Sequence, residues 1–219
     1  VERYWKPEFH PDESKSLEDW AQEIHTTLRE IMPQVKDEDE TAASFLSGGV
    51  DSSYVLAMSD ARRAACCGYE EERFDESGLA EETARLLGRE FSRRVIKPEE
   101  YFAIVPYVMY HMEQPLGDAS ALAFTIGCQA AAEQTKLCYS GEGSDEFFGG
   151  YNMYRNAERY GDNLKTFYVG NTNIMKEEEK KRILKKYDER VLPINLVKDI
   201  YQETEGLDPL TKMSNVDIQ

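Results

Sequence analysis

An α/β fold, with a parallel sheet flanked by helices, is the class this sequence predicts, on three observations. Short apolar runs alternate with helical patterns from about residue 41 to residue 140. One of these runs, "TAASFL", passes directly into "SGGVDSS", two glycines set among hydroxyls at the start of a helical stretch. A second glycine-rich loop, "SGEGSDEFFGGY", follows the apolar run "KLCYS" and is dense in acids. Parallel strands need crossover helices, and their ends gather on one edge of the sheet, where such folds bind ligands.

Residues 1 to 15 are rich in Pro and charge and read as an arm. "SLEDWAQEIHTTLREIM" places Leu17, Trp20, Ile24, Leu28 and Ile31 on one helical stripe, with acids in the first turn; Pro33 and "KDEDE" end it. "TAASFL" is the first strand, "SGGVDSS" a turn, and "SYVLAMSDARR" a helix. "AACCGY" is the second strand, and "DESGLAEETARLLG" a helix that Gly88 stops. "FSRRVIK" is the third strand. Pro98 then opens a helix over "EEYFAIVPYVMYHM", kinked near Pro106. "SALAFTIGCQAAAEQ" is a buried helix and "KLCYS" the fourth strand. Beyond about residue 160 the strand pattern stops and "KEEEKKRILKKY" is a charged helix, so residues 1–160 form one expected domain and 161–219 part of a helical subdomain.

The formal charge of −16 argues against nucleic acid or an anionic membrane as partner. It leaves room for a phosphate ligand, because a local loop or metal overrides the global field. Cys66, Cys67, Cys128 and Cys138 form no CxxC pair and read as reduced, buried thiols. No signal peptide or membrane-length apolar run is visible, so a cytoplasmic setting is expected. His10, His25 and His111 are scattered, which gives a histidine metal site or triad little support.

A strand running through Gly-Gly into a helix points free N–H groups and a partial positive charge at an anion. Gly48 and Gly49 let the backbone approach it, and Ser47, Ser52 and Ser53 offer hydrogen bonds. The string is neither a Walker loop, which needs a lysine, nor GxGxxG. Asp51 is out of place beside a phosphate unless Mg²⁺ lies between them; its other reading is a helix cap. Asp145, among the glycines of the second loop, is the natural second carboxylate, and the spacing there is not that of an EF-hand.

"SGGVDSS" is the PP-loop string shared by ATP pyrophosphatases. Together with "EERFDES", "PLGDASA" and "SGEGSDEFFGGY", it resembles the synthetase domain of glutamine-hydrolysing asparagine synthetase, over nearly the whole chain. The β-lactam synthetases are close relatives of that family. The resemblance implies an adenine nucleotide alpha hydrolase-like fold that uses ATP and Mg²⁺. Leu46, Cys67 and Gly141 are then expected at the nucleoside end, with Cys67 where the family often has valine. Ser47, Gly48, Gly49, Asp51, Ser52 and Ser53 are expected to hold pyrophosphate, and Asp51 and Asp145 to bind Mg²⁺. Ser140 is expected beside the nucleotide, Glu142 near the reacting centre, and Asp118 and Ser120 at the amino-acid pocket. Asp75 and Glu76 stand where the family has an acidic pair; as residues, they read equally as part of a solvated charge run.

The activity implied is ATP-dependent amidation of aspartate through β-aspartyl-AMP, with glutamine or ammonia as nitrogen donor. Rival readings are another carboxylate-adenylating synthetase, β-lactam closure included, and a nucleotide-binding fragment without turnover. The family's N-terminal glutaminase and its later phosphate-facing lysine are not within these residues. The chain is therefore expected to be a truncated, inactive domain, a homodimer being compatible with its sequence.

Overall fold

The computed structural model describes residues 2–35, 42–113, 118–155, 175, 177–192 and 194–219. The run "KDEDE" and residues 115–117 of "PLGDASA" lie outside the described residues. The chain divides into two compact units, Glu13–Glu142 and a second made of Val1–Asp12 with Gly143–Gln219. The sequence pattern had suggested a division nearer residue 160.

In the first unit, four strands form one parallel sheet: β1 (Ala43–Phe45), β2 (Arg63–Tyr69), β3 (Glu90–Ile96) and β4 (Cys138–Tyr139). The order is β3-β2-β1-β4. The expected α/β class is therefore the one observed. The chain steps outward from β1 to β3, then returns to place β4 on the other side of β1. In folds of this class ligands bind outside the carboxyl ends of the strands at such a reversal, here between β1 and β4.

Along β2, side chains alternate between the two faces. Ala64 and Cys66 pack with Leu46, Leu56, Ala80, Ala84 and Tyr139 on the face covered by α2 (Val50–Met58) and α3 (Ser77–Leu86). Cys67 and Tyr69 pack with Ile96, Ala123 and Ile126 under α6 (Ser120–Ala132). Small residues bring α6 close: a Cβ on Gly127 would lie 2.7 Å from Cys67 Sγ. All four cysteines are free thiols, and burial pushes Cys66 up to about 12 and Cys138 up to about 11.

The sequence-predicted helices form with adjusted ends. α1 (Leu17–Ile31) is closed by a capping box, the Asp19 N–H donating to Ser16 Oγ and the Ser16 N–H to Asp19. α2 starts at Val50, earlier than expected, because extended Gly49 is its N-cap; Arg63, assigned to that helix from sequence, instead opens β2. The kink expected at Pro106 is a full break between α4 (Pro98–Ala103) and α5 (Val105–Met112). Each proline sits in a helical first turn, where the missing N–H has no intrahelical acceptor to lose.

Among the described residues of the second unit are α7 (Ser144–Phe148), α8 (Glu177–Ile183), α9 (Ile194–Glu203) and α10 (Pro209–Ile218). Its core is Tyr154 and Met213 packed with Met153, Tyr201 and Leu210. Asn215, 1% exposed, donates to Ile200 O at 3.1 Å. The expected N-terminal arm belongs here: Lys6 pairs with Glu203 at 2.7 Å, and Arg3 donates to the Gln219 side chain.

Candidate functional site

The first loop leaves β1 at Leu46, whose side chain is 2% exposed and whose N–H donates to Ala65 O at 2.9 Å. Ser47, Gly48 and Gly49 turn the chain, with Gly48 at φ +90°. A Cβ there would lie 3.1 Å from Leu79 Cβ and 3.3 Å from Glu76 O, so both conformation and space require glycine.

The hydroxyls of this loop bind the loop itself. Ser52 Oγ accepts from Ser47 N–H at 3.2 Å and donates to Gly49 O at 3.3 Å. Ser53 Oγ donates to Gly49 O at 2.7 Å, and Ser47 Oγ accepts from Gly49 N–H at 3.2 Å. What remains for an anion is the set of N–H groups in the first turn of α2, which have no intrahelical acceptor.

Asp51 occupies that first turn and is exposed. It does not cap the helix: Gly49 is the N-cap and no side chain caps α2. Among the described residues, no cation pairs with Asp51. A carboxylate left open beside an anion-directed helix start is a donor set that suits a hard divalent cation.

The second loop begins in the same unit. β4 pairs with β1 through Ala43 and Ser44, and the chain continues as Ser140, Gly141 and Glu142. A Cβ on Gly141 would lie 2.9 Å from Ser52 N and 3.0 Å from Asp51 C. The Gly141 backbone thus lies on the first turn of α2, and this contact seats the start of the second predicted loop on the first. Ser140 Oγ accepts from the Glu142 N–H at 3.1 Å, and the Glu142 side chain is exposed.

The remaining candidates hold other positions. Cys67 Sγ contacts Ala123 O at 3.6 Å on α6, and burial raises its pKa. Asp118 accepts from both the N–H and the Oγ of Ser120, at 2.9 and 2.7 Å, at the start of α6. Asp75 is not solvated: Oδ1 accepts from the N–H groups of Tyr69 and Ser77, and Oδ2 lies 2.6 Å from Arg93. Burial alone would raise its pKa, but the Ser77 and Tyr69 bonds and the Arg93 charge hold it below the usual range. Glu76 is exposed and is the N-cap of α3.

Asp145 lies in α7 of the second unit. Its carbonyl accepts from Gly150 N–H at 3.0 Å, which closes the helix through Gly149 at φ +66°. Glu146, next to it, is held from two sides: its carboxylate accepts from Tyr151 OH at 2.7 Å and its carbonyl accepts from Ser214 Oγ at 2.5 Å, while Oε2 is buried without a hydrogen-bond partner. Tyr151 has a raised pKa, first through its bond to Glu146 and then through burial. Sequence reasoning noted Glu146 only as one acid of the second loop and passed over Tyr151 and Ser214; the Ser214 link joins residues 68 apart, and no local pattern marks it. Among the described residues no cluster of three or more His, Cys, Asp or Glu side chains suited to a metal is preformed, and no described helix is long and apolar enough to cross a membrane.

Residues 12–219 match the asparagine synthase family. The chain is 30% identical, over 256 aligned positions, to glutamine-hydrolyzing asparagine synthetase 1 of Bacillus subtilis (strain 168), covering 98% of this chain and 40% of that protein. A putative glutamine-hydrolyzing asparagine synthetase of Mycobacterium bovis is 23% identical, covering all of this chain and 40% of that protein. Among solved structures, an NH3-dependent NAD synthetase from Campylobacter jejuni aligns with 90% of this chain and 92% of its own, at 14% identity and a TM-score of 0.40. The chain thus spans about 40% of the length of the curated relatives it matches. On the match across residues 12–219, it belongs to the asparagine synthase family.

Proposed function

We propose that this chain is the ATP-handling part of a ligase that amidates aspartate. The observation that carries the reading is the seating of Gly141 against the first turn of α2, which joins two glycine-rich loops at the reversal point of the sheet. Helix-start N–H groups bind the β- and γ-phosphates, and the backbone of Leu46, Cys67 and Gly141 borders the nucleoside. The hydroxyls of Ser47, Ser52 and Ser53 brace the loop, and Ser140 lies beside the nucleotide.

Asp51 and Asp145 would hold Mg²⁺, and the ion would supply positive charge to offset that of the carboxylates and the pyrophosphate. An oxygen of the aspartate side chain attacks the α-phosphorus, and pyrophosphate leaves. Ammonia then displaces AMP from the resulting β-aspartyl-AMP, giving asparagine. Glu142 stands near the reacting carbonyl, while Asp118 and Ser120 shape the amino-acid pocket. The protein contributes positioning and fixed dipoles aimed at developing charge. The setting is proposed to be cytoplasmic, and the nitrogen of the whole reaction to come from a glutaminase or from free ammonia.

The test supplies ATP, Mg²⁺ and a panel of acids including aspartate, with ammonium or glutamine, and follows pyrophosphate and amide product. It is run on the 219-residue chain and on the product of its full reading frame. The frame's product should release pyrophosphate with aspartate and make asparagine. The 219 residues should bind Mg·ATP weakly and make none from glutamine. Pyrophosphate release only with another acid would move the substrate assignment. No nucleotide binding by either protein would overturn the reading.

A further inference from the structure

We infer that Gly150 is a positioning residue for the Asp145 carboxylate. A Cβ built on Gly150 would lie 1.8 Å from Asp145 Oδ1 and 2.9 Å from its Cγ. No carbon atom fits there while the carboxylate keeps its present orientation. The backbone does not ask for glycine: Gly149 has φ +66°, but Gly150 is outside the left-handed region. Space for one oxygen is the reason left. The two glycines of "FGGY" therefore do different work. Gly149 provides the left-handed turn that ends α7, and a Cβ there would lie 3.2 Å from Leu210 on α10. Gly150 leaves the pocket into which Asp145 folds.

The rest of the loop is fixed around that pocket. Gly150 N–H holds Asp145 O at 3.0 Å, so the two residues cannot separate without losing the closure of the helix. On the other side, Ser214 Oγ grips Glu146 O and Tyr151 OH grips the Glu146 carboxylate. A methyl group at position 150 would meet the far end of the Asp145 side chain, so turning the carboxylate is the cheapest relief. Groups that orient metal ligands without touching the metal alter metal affinity by about 10- to 100-fold. This inference rests on the metal role proposed for Asp145.

The experiment measures ATP and AMP affinity of the 219-residue chain by calorimetry, in Mg²⁺ and in EDTA, for wild type, Gly150→Ala, Asp145→Asn and the double variant. Wild type should bind ATP more tightly in Mg²⁺. Gly150→Ala should reduce apparent Mg²⁺ affinity about 10- to 100-fold, with AMP binding and thermal midpoint nearly unchanged. In the Asp145→Asn background, Gly150→Ala should not lower Mg²⁺ affinity further, because the two changes act on one carboxylate. A wild-type Mg²⁺ response in Gly150→Ala, with Asp145→Asn impaired, overturns the inference alone. A wild-type response in Asp145→Asn, or no Mg²⁺ effect in wild type, overturns the metal reading and this inference with it. Should Gly150→Ala fail to fold, Asp145→Ala/Gly150→Ala removes the colliding carboxylate. Restored folding then supports the collision, and persistent unfolding overturns it.

Discussion

Asp51 and Asp75 are both acids near the start of helices, and the structure gives them opposite circumstances. Asp51 is open to solvent among dipoles that favour a negative charge. Asp51→Asn keeps the shape and removes the charge. It should abolish the Mg²⁺-dependent part of ATP affinity and leave AMP affinity intact, measured by titration with and without EDTA; equal weakening of both nucleotides would indicate damage to the fold. Asp75 is tied to Tyr69, Ser77 and Arg93, and its pKa is lowered in the folded chain. An unfolded carboxyl titrates near about 4. The contribution of Asp75 is therefore complete above that pH and disappears as pH falls through the lower folded value. Asp75→Asn should cost about 1–2 kcal/mol at neutral pH and progressively less on acidification. Urea unfolding across a pH series checks the sign, which a growing deficit in acid would contradict.

At the scale of elements, the β1–Gly48–α2 turn combines a left-handed glycine with close contact to α3. Gly48→Ala should destabilise the chain by about 1–3 kcal/mol and weaken nucleotide binding as well; denaturant titration and calorimetry separate the two effects. A stable variant with intact binding would show that the turn relaxes freely. Much of this architecture was legible in sequence, because β1, β2 and β4 lie in short apolar runs and β3 follows the helix stop at Gly88. The ends were harder to read. Val50 joins α2 because Gly49 is extended and caps the helix, a choice made by backbone angles and not by side-chain pattern. Pro106 looked like a kink because a period-3.6 stripe runs across it, yet it sits in a new first turn. In the site, Gly48, Gly49 and Asp51 were legible because the loop is continuous in sequence. The bracing roles of the serines, and the grip of Ser214 on Glu146, depend on partners that only folding supplies.

For the molecule as a whole, 42 acids against 26 basic residues make self-repulsion a general cost of folding. Raising ionic strength from very low to about 0.15 M, where the Debye length is about 8 Å, should raise the thermal midpoint; scanning calorimetry in NaCl reads this directly, and a flat response would mean the charges are already balanced locally. The strand order carries a consequence for how the chain acquires its fold. β1 to β2 and β2 to β3 join neighbours in sequence, whereas β1 to β4 joins Ala43 with Cys138 across two strands and five helices. Closing that long loop carries the largest entropic penalty in the sheet and delays the pairing. Amides of β2 and β3 should therefore gain exchange protection before those that bridge β1 and β4, as pulsed deuterium labelling during refolding can follow. The edge of the sheet where β1 and β4 end, the proposed nucleotide site, is then the last part of the sheet to mature. During synthesis a ribosome must release Tyr139 before any ligand can help hold the nascent domain together.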